Sequence, residues 1–319
     1  MNVELLIQNG SKLYQPIVEE GIQWTTERYG SPSILKFTVI KDDEISFQEG
    51  DAVRMRVDDQ NVFFGFVFSK KRNKNHHIEV TAYDQLRYLK NKDTYVYEKK
   101  TASQVIQMIA NDFKLNLGNI ASTKYVIPSR VEDNQSLFDI IQNALDLELQ
   151  HKGEMYCLYD DFGKLSLKNI TSMKLDVLID ADTTEDFDYK SSIDEQTYNQ
   201  IKLTYDNNDA GEREVYIAKD SSNINRWGVL QFHEKLQKGE NGATKANALL
   251  KLYNKKTRTL KVNNALGDVR CRVGSMVPVQ LNLGDTILSN YLLVEKAIHT
   301  FNNEQHLMSL NLRGGEFIV

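Results

Sequence analysis

The sequence predicts an α+β, mainly β protein in which two similar small β-barrels flank a mixed α+β middle domain. Three observations support this. Short runs of period-two apolar alternation recur near both ends of the chain. Helical periodicity is confined to the stretch between them. One strand pattern is also written twice, about two hundred residues apart. In the first copy Gly50 precedes a strand in which Val53, Met55 and Val57 alternate with Arg54 and Arg56. An apolar run from Val62 to Phe68, a polar loop from Ser69 to His76 and a strand from His77 to Tyr83 follow. In the second copy Gly274 precedes Val277, Val279 and Leu281, which alternate with Pro278, Gln280 and Asn282. Tyr291 to Val294, a polar loop through Gln305 and His306 to Leu312 complete that copy. Chance recurrence of a common half-buried pattern is the bland alternative.

Up to about residue 88 the elements are strands: Val3 to Ile7, Ile22 to Glu27, Ile34 to Ile40, Ala52 to Val57, Val62 to Phe68 and Ile78 to Tyr83. Turn signals at Asn9-Gly10, Gly30 to Pro32, Asp42-Asp43 and Asp58-Asp59 separate them. Six short strands suit a small closed barrel, because closure removes exposed edges. The period then becomes helical. Asp84 caps a short helix with Leu86 and Leu89, and Thr101 with Gln104 forms a capping box ahead of Val105, Ile106, Ile109 and Phe113. Ser136 and Asp139 repeat that signal before Leu137, Ile140, Ile141, Ala144 and Leu145. A hairpin from Glu154 to Ile170 turns through Asp161 to Gly163. After the acidic stretch Asp180 to Asp188, alternation resumes at Tyr198 to Tyr205 and Glu214 to Ala218; Gly239 to Asn254 reads as a loop and helix, and strands return from Thr257. The expected division is 1–88 for the first barrel, 89–192 plus 218–256 for the middle domain, and 193–217 plus 257–319 for the second barrel.

A chain of 319 residues can bury several cores without staples. Its two cysteines, Cys157 and Cys271, sit in apolar strand patterns and are expected to be free buried thiols, which fits a reducing cytoplasm. The opening residues lack a basic region and a long apolar region, so they read as a strand and not as an export signal. A formal net charge of -5 removes the broad basic footprint of a dedicated nucleic-acid binder.

The search for chemistry returns fragments. His233-Glu234 opens like a zincin helix, but Gln237 stands where the second histidine ligand belongs. Gly163-Lys164 lacks the upstream glycine of a phosphate-cradling loop, which is Leu158 here, and Gly274-Ser275 lacks the closing glycine of a nucleophile elbow. The acidic run Asp180, Asp182, Glu185, Asp186 and Asp188 has Glu185 where a calcium loop needs glycine, so a solvated loop is expected. Lys70, Lys71, Arg72, Lys74, His76 and His77 form the one local basic cluster, either solvated or facing an acidic partner or passing nucleic acid. Trp24 and Trp227 are either partly buried anchors or sugar-stacking platforms. No catalytic, cofactor-binding or metal residue is assigned.

Five motifs occur in order: Val80 to Lys90, Thr101 to Gln104, Leu158 to Leu165, Ile224 to Gln231, and Gly274 to Val279. Together they resemble the XkdQ family of phage-like contractile particles, itself similar to the baseplate hub and late control protein D group. The resemblance spans nearly the whole chain. It implies a structural baseplate hub without enzymatic turnover: a homotrimer whose two barrels per subunit form a six-part ring between a hexameric tail tube and a trimeric spike. Arg54, Arg56 and the inner strand faces would line or support its channel. Implied partners are a second and third copy, the tail tube protein, the spike or cell-puncturing protein and other baseplate proteins, with transient DNA passage and no stable membrane insertion. Synthesis in the bacterial cytoplasm followed by incorporation into a phage or phage-like particle is expected. The alternative is a peptidoglycan or glycan hydrolase of a tail particle, using a carboxylate pair in the middle domain.

Overall fold

A computed structural model of the chain describes residues 1–314 apart from 76, 195, 208–210, 237–239, 285–286 and 304. The first repeat contains β1 (Val3–Asn9), β2 (Lys12–Tyr14), β3 (Ile22–Glu27), β4 (Ile34–Ile40), β5 (Ala52–Val57), β6 (Gln60–Arg72) and β7 (His77–Tyr83). The alternation expected of β5 is present: Val53, Met55 and Val57 are buried while Arg54 and Arg56 face outward. These residues join Ile7, Trp24, Leu35, Val39 and Val80 in one core.

The middle region follows with β8 (Lys92–Lys100), α1 (Ala102–Asp112), β9 (Leu117–Ile120), β10 (Ile127–Ser136), α2 (Leu137–Lys152), β11 (Tyr156–Asp160) and β12 (Leu165–Asn169). A short 3-10 turn (Gln85–Lys90) leads into it, capped by Asp84 as the sequence indicates. Both sides of the Thr101 and Gln104 capping box form, and the Ser136 hydroxyl accepts the Asp139 N–H at 3.1 Å. Each such cap satisfies N–H groups that the first helical turn leaves orphaned. The inner faces of α1 and α2 pack Val105, Ile109, Leu137 and Ile140 on Leu165 and Leu167.

The second repeat comprises β13 (Ile179–Asp180), β14 (Asp186–Ser192), β18 (Thr257–Leu266), β19 (Met276–Asn282), β20 (Ile287–Asn302) and β21 (Gln305–Arg313). Between β14 and β18 the chain makes β15 (Gln200–Asn207), β16 (Glu212–Lys219), α3 (Ser221–Trp227), β17 (Gln231–Lys235) and α4 (Gly242–Tyr253). Two segments therefore pair differently from the expected division. Asp186 to Ser192 zips onto β18, in the second repeat, whereas β15 pairs with β16 and β17 in a sheet of its own. The reason is burial: Ile201 and Leu203 on β15 share a core with Ala246 and Leu249 of α4. Cys271, expected in a strand, lies in the turn-rich segment before β19, where its backbone N–H bonds the Asp268 carbonyl at 2.9 Å. It is fully buried, as is Cys157 on β11, and both are free thiols.

The duplication survives at the level of single hydrogen bonds. Gly50 (φ +92°) donates its N–H to Val67 at 2.8 Å, and Val67 donates to Asp51 at 2.9 Å. Gly274 (φ +83°) donates to Val294 at 3.0 Å, and Val294 donates to Ser275 at 2.8 Å. A register shift follows each valine, between Val67 and Ser69 and between Val294 and Lys296. Both repeats thus run β5-β6-β7-β4-β3 and β19-β20-β21-β18-β14 in the same order of pairing. Among the described residues no ladder closes either repeat on itself. Instead β3 pairs with β20, fusing the repeats into one thirteen-stranded sheet. The fold is mainly β, and no helix among the described residues is long and apolar enough to cross a membrane.

Candidate functional site at the seam of the two repeats

Three regions of the chain meet where β3 lies against β20, with Ile22 to Glu27 antiparallel to Phe301 to Lys296. Beyond the ladder, the Thr26 hydroxyl accepts the Val273 N–H at 3.1 Å. Arg28 grips Glu295 through two bonds, Nε at 2.8 Å and Nη2 at 3.1 Å. This fork-to-carboxylate geometry is the strong form of an ion pair, and the Arg28 side chain is only 5% exposed.

Trp24, at the centre of β3, is buried. Its indole N–H donates to the Ser33 hydroxyl at 2.7 Å, and its ring stacks on His299 with centroids 5.0 Å apart. His299 Nε2 lies 2.9 Å from the Cys271 carbonyl and Nδ1 lies 2.9 Å from His306 Nε2. A carbonyl only accepts, so His299 carries its proton on Nε2, and Nδ1 must accept from His306. Burial agrees, pushing His299 down to about 3 and His306 down to about 4.

The Arg272 guanidinium lies over two aromatic faces, 4.3 Å from the Tyr159 ring centroid and 5.8 Å from that of Trp24. Its Nη2 donates to the Asp160 carbonyl at 2.6 Å. The Asp160 carboxylate in turn accepts from Gln85 at 2.9 Å and from the Gly163 N–H at 2.6 Å. Asp84 accepts the N–H groups of Ser33 and Leu86, both at 3.0 Å. Burial holds the Asp84 carboxyl well above the usual aspartate value, with the neighbouring Asp160 adding to the effect, and burial raises Asp160 too. These carboxyls are buried, at 0% and 5% exposure.

Three of the five motifs thus converge here, through Asp84 and Gln85, Asp160 to Gly163, and Gly274. Gly163 also has a left-handed φ of +85°, and Gly274 fits because a Cβ there would stand 2.6 Å from Cys157 Sγ. No motif or spacing in the residues singles out Arg28, Arg272, Glu295, His299 or His306. Arg272 flanks the buried Cys271, and that alternation was the one available signal.

The remaining sequence candidates lie apart from the seam. His233 is on a strand, 3.3 Å from the Thr204 hydroxyl, and residue 237 falls outside the described residues. Among the described residues no group of three or more His, Cys, Asp or Glu side chains is placed to hold a metal. Asp180 uses its carboxylate to accept the N–H groups of Asp182 and Thr183, while Asp186 and Asp188 lie on β14. In the basic cluster Lys70 meets Glu49 at 3.6 Å, Lys71 meets Glu79 at 3.5 Å and His77 meets Glu19 at 2.7 Å; His76 lies outside the described residues. Arg56 bonds Asn61 at 2.9 Å. Trp24 is a buried anchor, closed to a sugar, and Trp227 is half-buried at the end of α3.

The architecture is that of solved phage tail proteins. It matches the 43 kDa tail protein of prophage MuSo2 from Shewanella oneidensis with a TM-score of 0.72 at 14% identity, covering 99% of this chain and all of that one. It also matches the Escherichia coli c3393 protein with a TM-score of 0.58 at 11% identity, over 98% of this chain and 78% of that one. That protein is described as a type VI secretion system component structurally similar to the T4 bacteriophage tail proteins gp27 and gp5. The chain belongs to the YQBQ-like family, whose profile it matches over residues 22–313. It is 29% identical over 304 residues to the XkdQ protein of the phage-like element PBSX of Bacillus subtilis strain 168, spanning 93% of this chain and 92% of XkdQ. The family expected from the five motifs is the family found.

Proposed function

We propose that this protein is a structural hub of the baseplate in a contractile phage tail or phage-tail-like particle. Three copies form a ring between a sixfold tube and a threefold spike. The observation that carries this reading is the internal repeat, matched down to the Gly50–Val67 and Gly274–Val294 bonds. Two equivalent units per chain let three chains offer six near-equivalent surfaces, so a threefold object can meet a sixfold one without an adaptor. Each repeat acts as a barrel-like block in that ring. The seam supports the same reading, because a ring of fixed geometry needs its two blocks locked, and Arg28–Glu295 and Thr26–Val273 lock them. The likeness to tail proteins, and the relation of XkdQ to a phage-like element, agree with assembly in a bacterium and incorporation into a particle.

The units of the proposal keep 1–88 as the first block. They move Gln200–Asn207 to the small sheet packed on α4 and Asp186–Ser192 to the second block. The role is assembly and involves no turnover. Mass photometry of the chain mixed with its particle's spike and tube proteins is the test. A species containing three copies is expected, with obligate interfaces on the order of 2,000 Å². A chain that stays monomeric in every mixture overturns the reading.

A further inference from the structure

The internal seam is a template for a second one. Matching Val67 to Val294 places Ser69 with Lys296, Lys71 with Ile298 and Arg72 with His299, through the ladders each strand makes with β7 and β21. Matching Leu35 to Leu260 places Trp24 with Tyr189 and Thr25 with Lys190, so β14 is the counterpart of β3. In the second repeat the part of β20 beyond its bulge, Lys296 to Phe301, receives β3. The corresponding stretch of β6, Ser69 to Arg72, receives no strand among the described residues, and β14 ends the sheet with no ladder on its outer edge. One chain therefore presents both halves of the joint it has already made once internally.

We propose that β14 of one copy adds to the distal half of β6 of the next copy, reproducing the β3–β20 seam between chains. The inference rests on the hub reading and names its interface. Six seams then close the ring, three within chains and three between them. The chemistry of the two edges agrees. Glu185, Asp186 and Asp188 make one edge acidic, while Lys70, Lys71, Arg72 and Lys74 make the other basic. In the copied register Tyr189 faces Arg72, a cation over a ring, and Asp188 falls diagonal to Lys71. Lys190 falls opposite Lys71, with Asp188 and Glu79 beside that pair to offset the like charges. Burial supports the match as well. Ile22 and Trp24 are 4% and 1% exposed beneath the internal partner, whereas Phe187 and Tyr189 at the same positions are only partly buried. A second copy would cover them. Parts of the acidic run and of the basic cluster become the two faces of one contact.

Substituting Lys71→Cys and Lys190→Cys in the full chain tests the register, because both side chains are exposed and the native thiols are buried. Treatment with a short bis-maleimide at high micromolar protein is expected to give covalent dimers and trimers. Neither single variant should do so. The charge reversals Lys71→Glu with Arg72→Glu, and Asp186→Lys with Asp188→Lys, are each expected to abolish the trimer, and all four in one chain to restore it. Trimers that form without cross-linking and survive the reversals overturn this interface while leaving the hub reading standing. A chain that stays monomeric alone but forms a trimer with the spike overturns edge-driven self-association. Absence of a trimer in every mixture overturns both.

Discussion

Val67 and Val294 occupy the same place in two copies of one structural sentence. Each accepts a hydrogen bond from a left-handed glycine and returns one to the following residue, at 2.8 and 2.9 Å around Val67 and at 3.0 and 2.8 Å around Val294. Positive φ is costly for any residue with a Cβ, so a glycine at this turn is a physical requirement twice met. From that equivalence β5, β6, β7, β4 and β3 can be placed on β19, β20, β21, β18 and β14.

The two glycines differ in what surrounds them. At Gly50 an added Cβ meets nothing within 4 Å, while at Gly274 it would lie 2.6 Å from Cys157 Cβ and Sγ. Gly50→Ala is expected to cost about 1 to 2 kcal/mol through backbone strain alone. Gly274→Ala adds overpacking and is expected to lose about 1 to 3 kcal/mol more. Urea midpoints of the two variants measure the difference, and equal losses would contradict it.

Acid is expected to weaken the seam through its histidines. His306 is depressed from 6.5 to about 4, so the folded state binds its proton less well than the unfolded chain does. The stability it contributes is full above 6.5 and is lost as pH falls toward 4. Because His306 is partly solvated, the loss is expected to be about 1 to 2 kcal/mol, less than the full shift implies. The stability difference between wild type and His306→Gln should therefore shrink between pH 7 and pH 4. Asp84 and Asp160 act with the opposite sign, since raised carboxyls stabilise the fold as pH falls, and the paired comparison removes their contribution.

Replacing Arg272 is expected to loosen the middle region from the repeats. The change Arg272→Met keeps bulk but leaves the buried Asp160 carbonyl without its donor, at a cost of about 2 to 4 kcal/mol. Arg272→Lys is not expected to rescue, because a point charge cannot stack as a plane over Tyr159 and Trp24. Hydrogen exchange should show faster opening of β11 and β3 in both variants while the α1 and α2 amides keep their protection.

The Thr101 box gives a local control. Thr101→Ala removes the acceptor of the Gln104 N–H and is expected to cost about 1 kcal/mol. Its effect should be confined to α1 and leave association unchanged.

Much of the fold was legible because half-buried strands alternate visibly. β3, β4 and β5 have the limits that the periodicity indicates, and the helix caps are where the Thr101 and Ser136 patterns place them. β8 escaped because only Tyr95 and Tyr97 face inward, flanked by charge, with Val96 turned to solvent. The partners of β15 were not legible, because alternation reports that a strand has an inner face and says nothing of which partner covers it. The seam was the least legible part. Arg272, His299 and Glu295 are joined by sequence-distant contacts, and Arg28 meets Glu295 across 267 positions. The recurrence of Gly50 and Gly274 and the alternation of Arg272 with Cys271 pointed toward it.

End-on electron cryomicroscopy of the assembled particle tests the central claim most directly, by counting blocks around the channel at the level of this chain. Three copies giving six similar lobes, alternately joined by a continuous chain and by an intermolecular strand seam, is the expected image. A single copy, or three copies whose two repeats sit at different radii, would contradict the account.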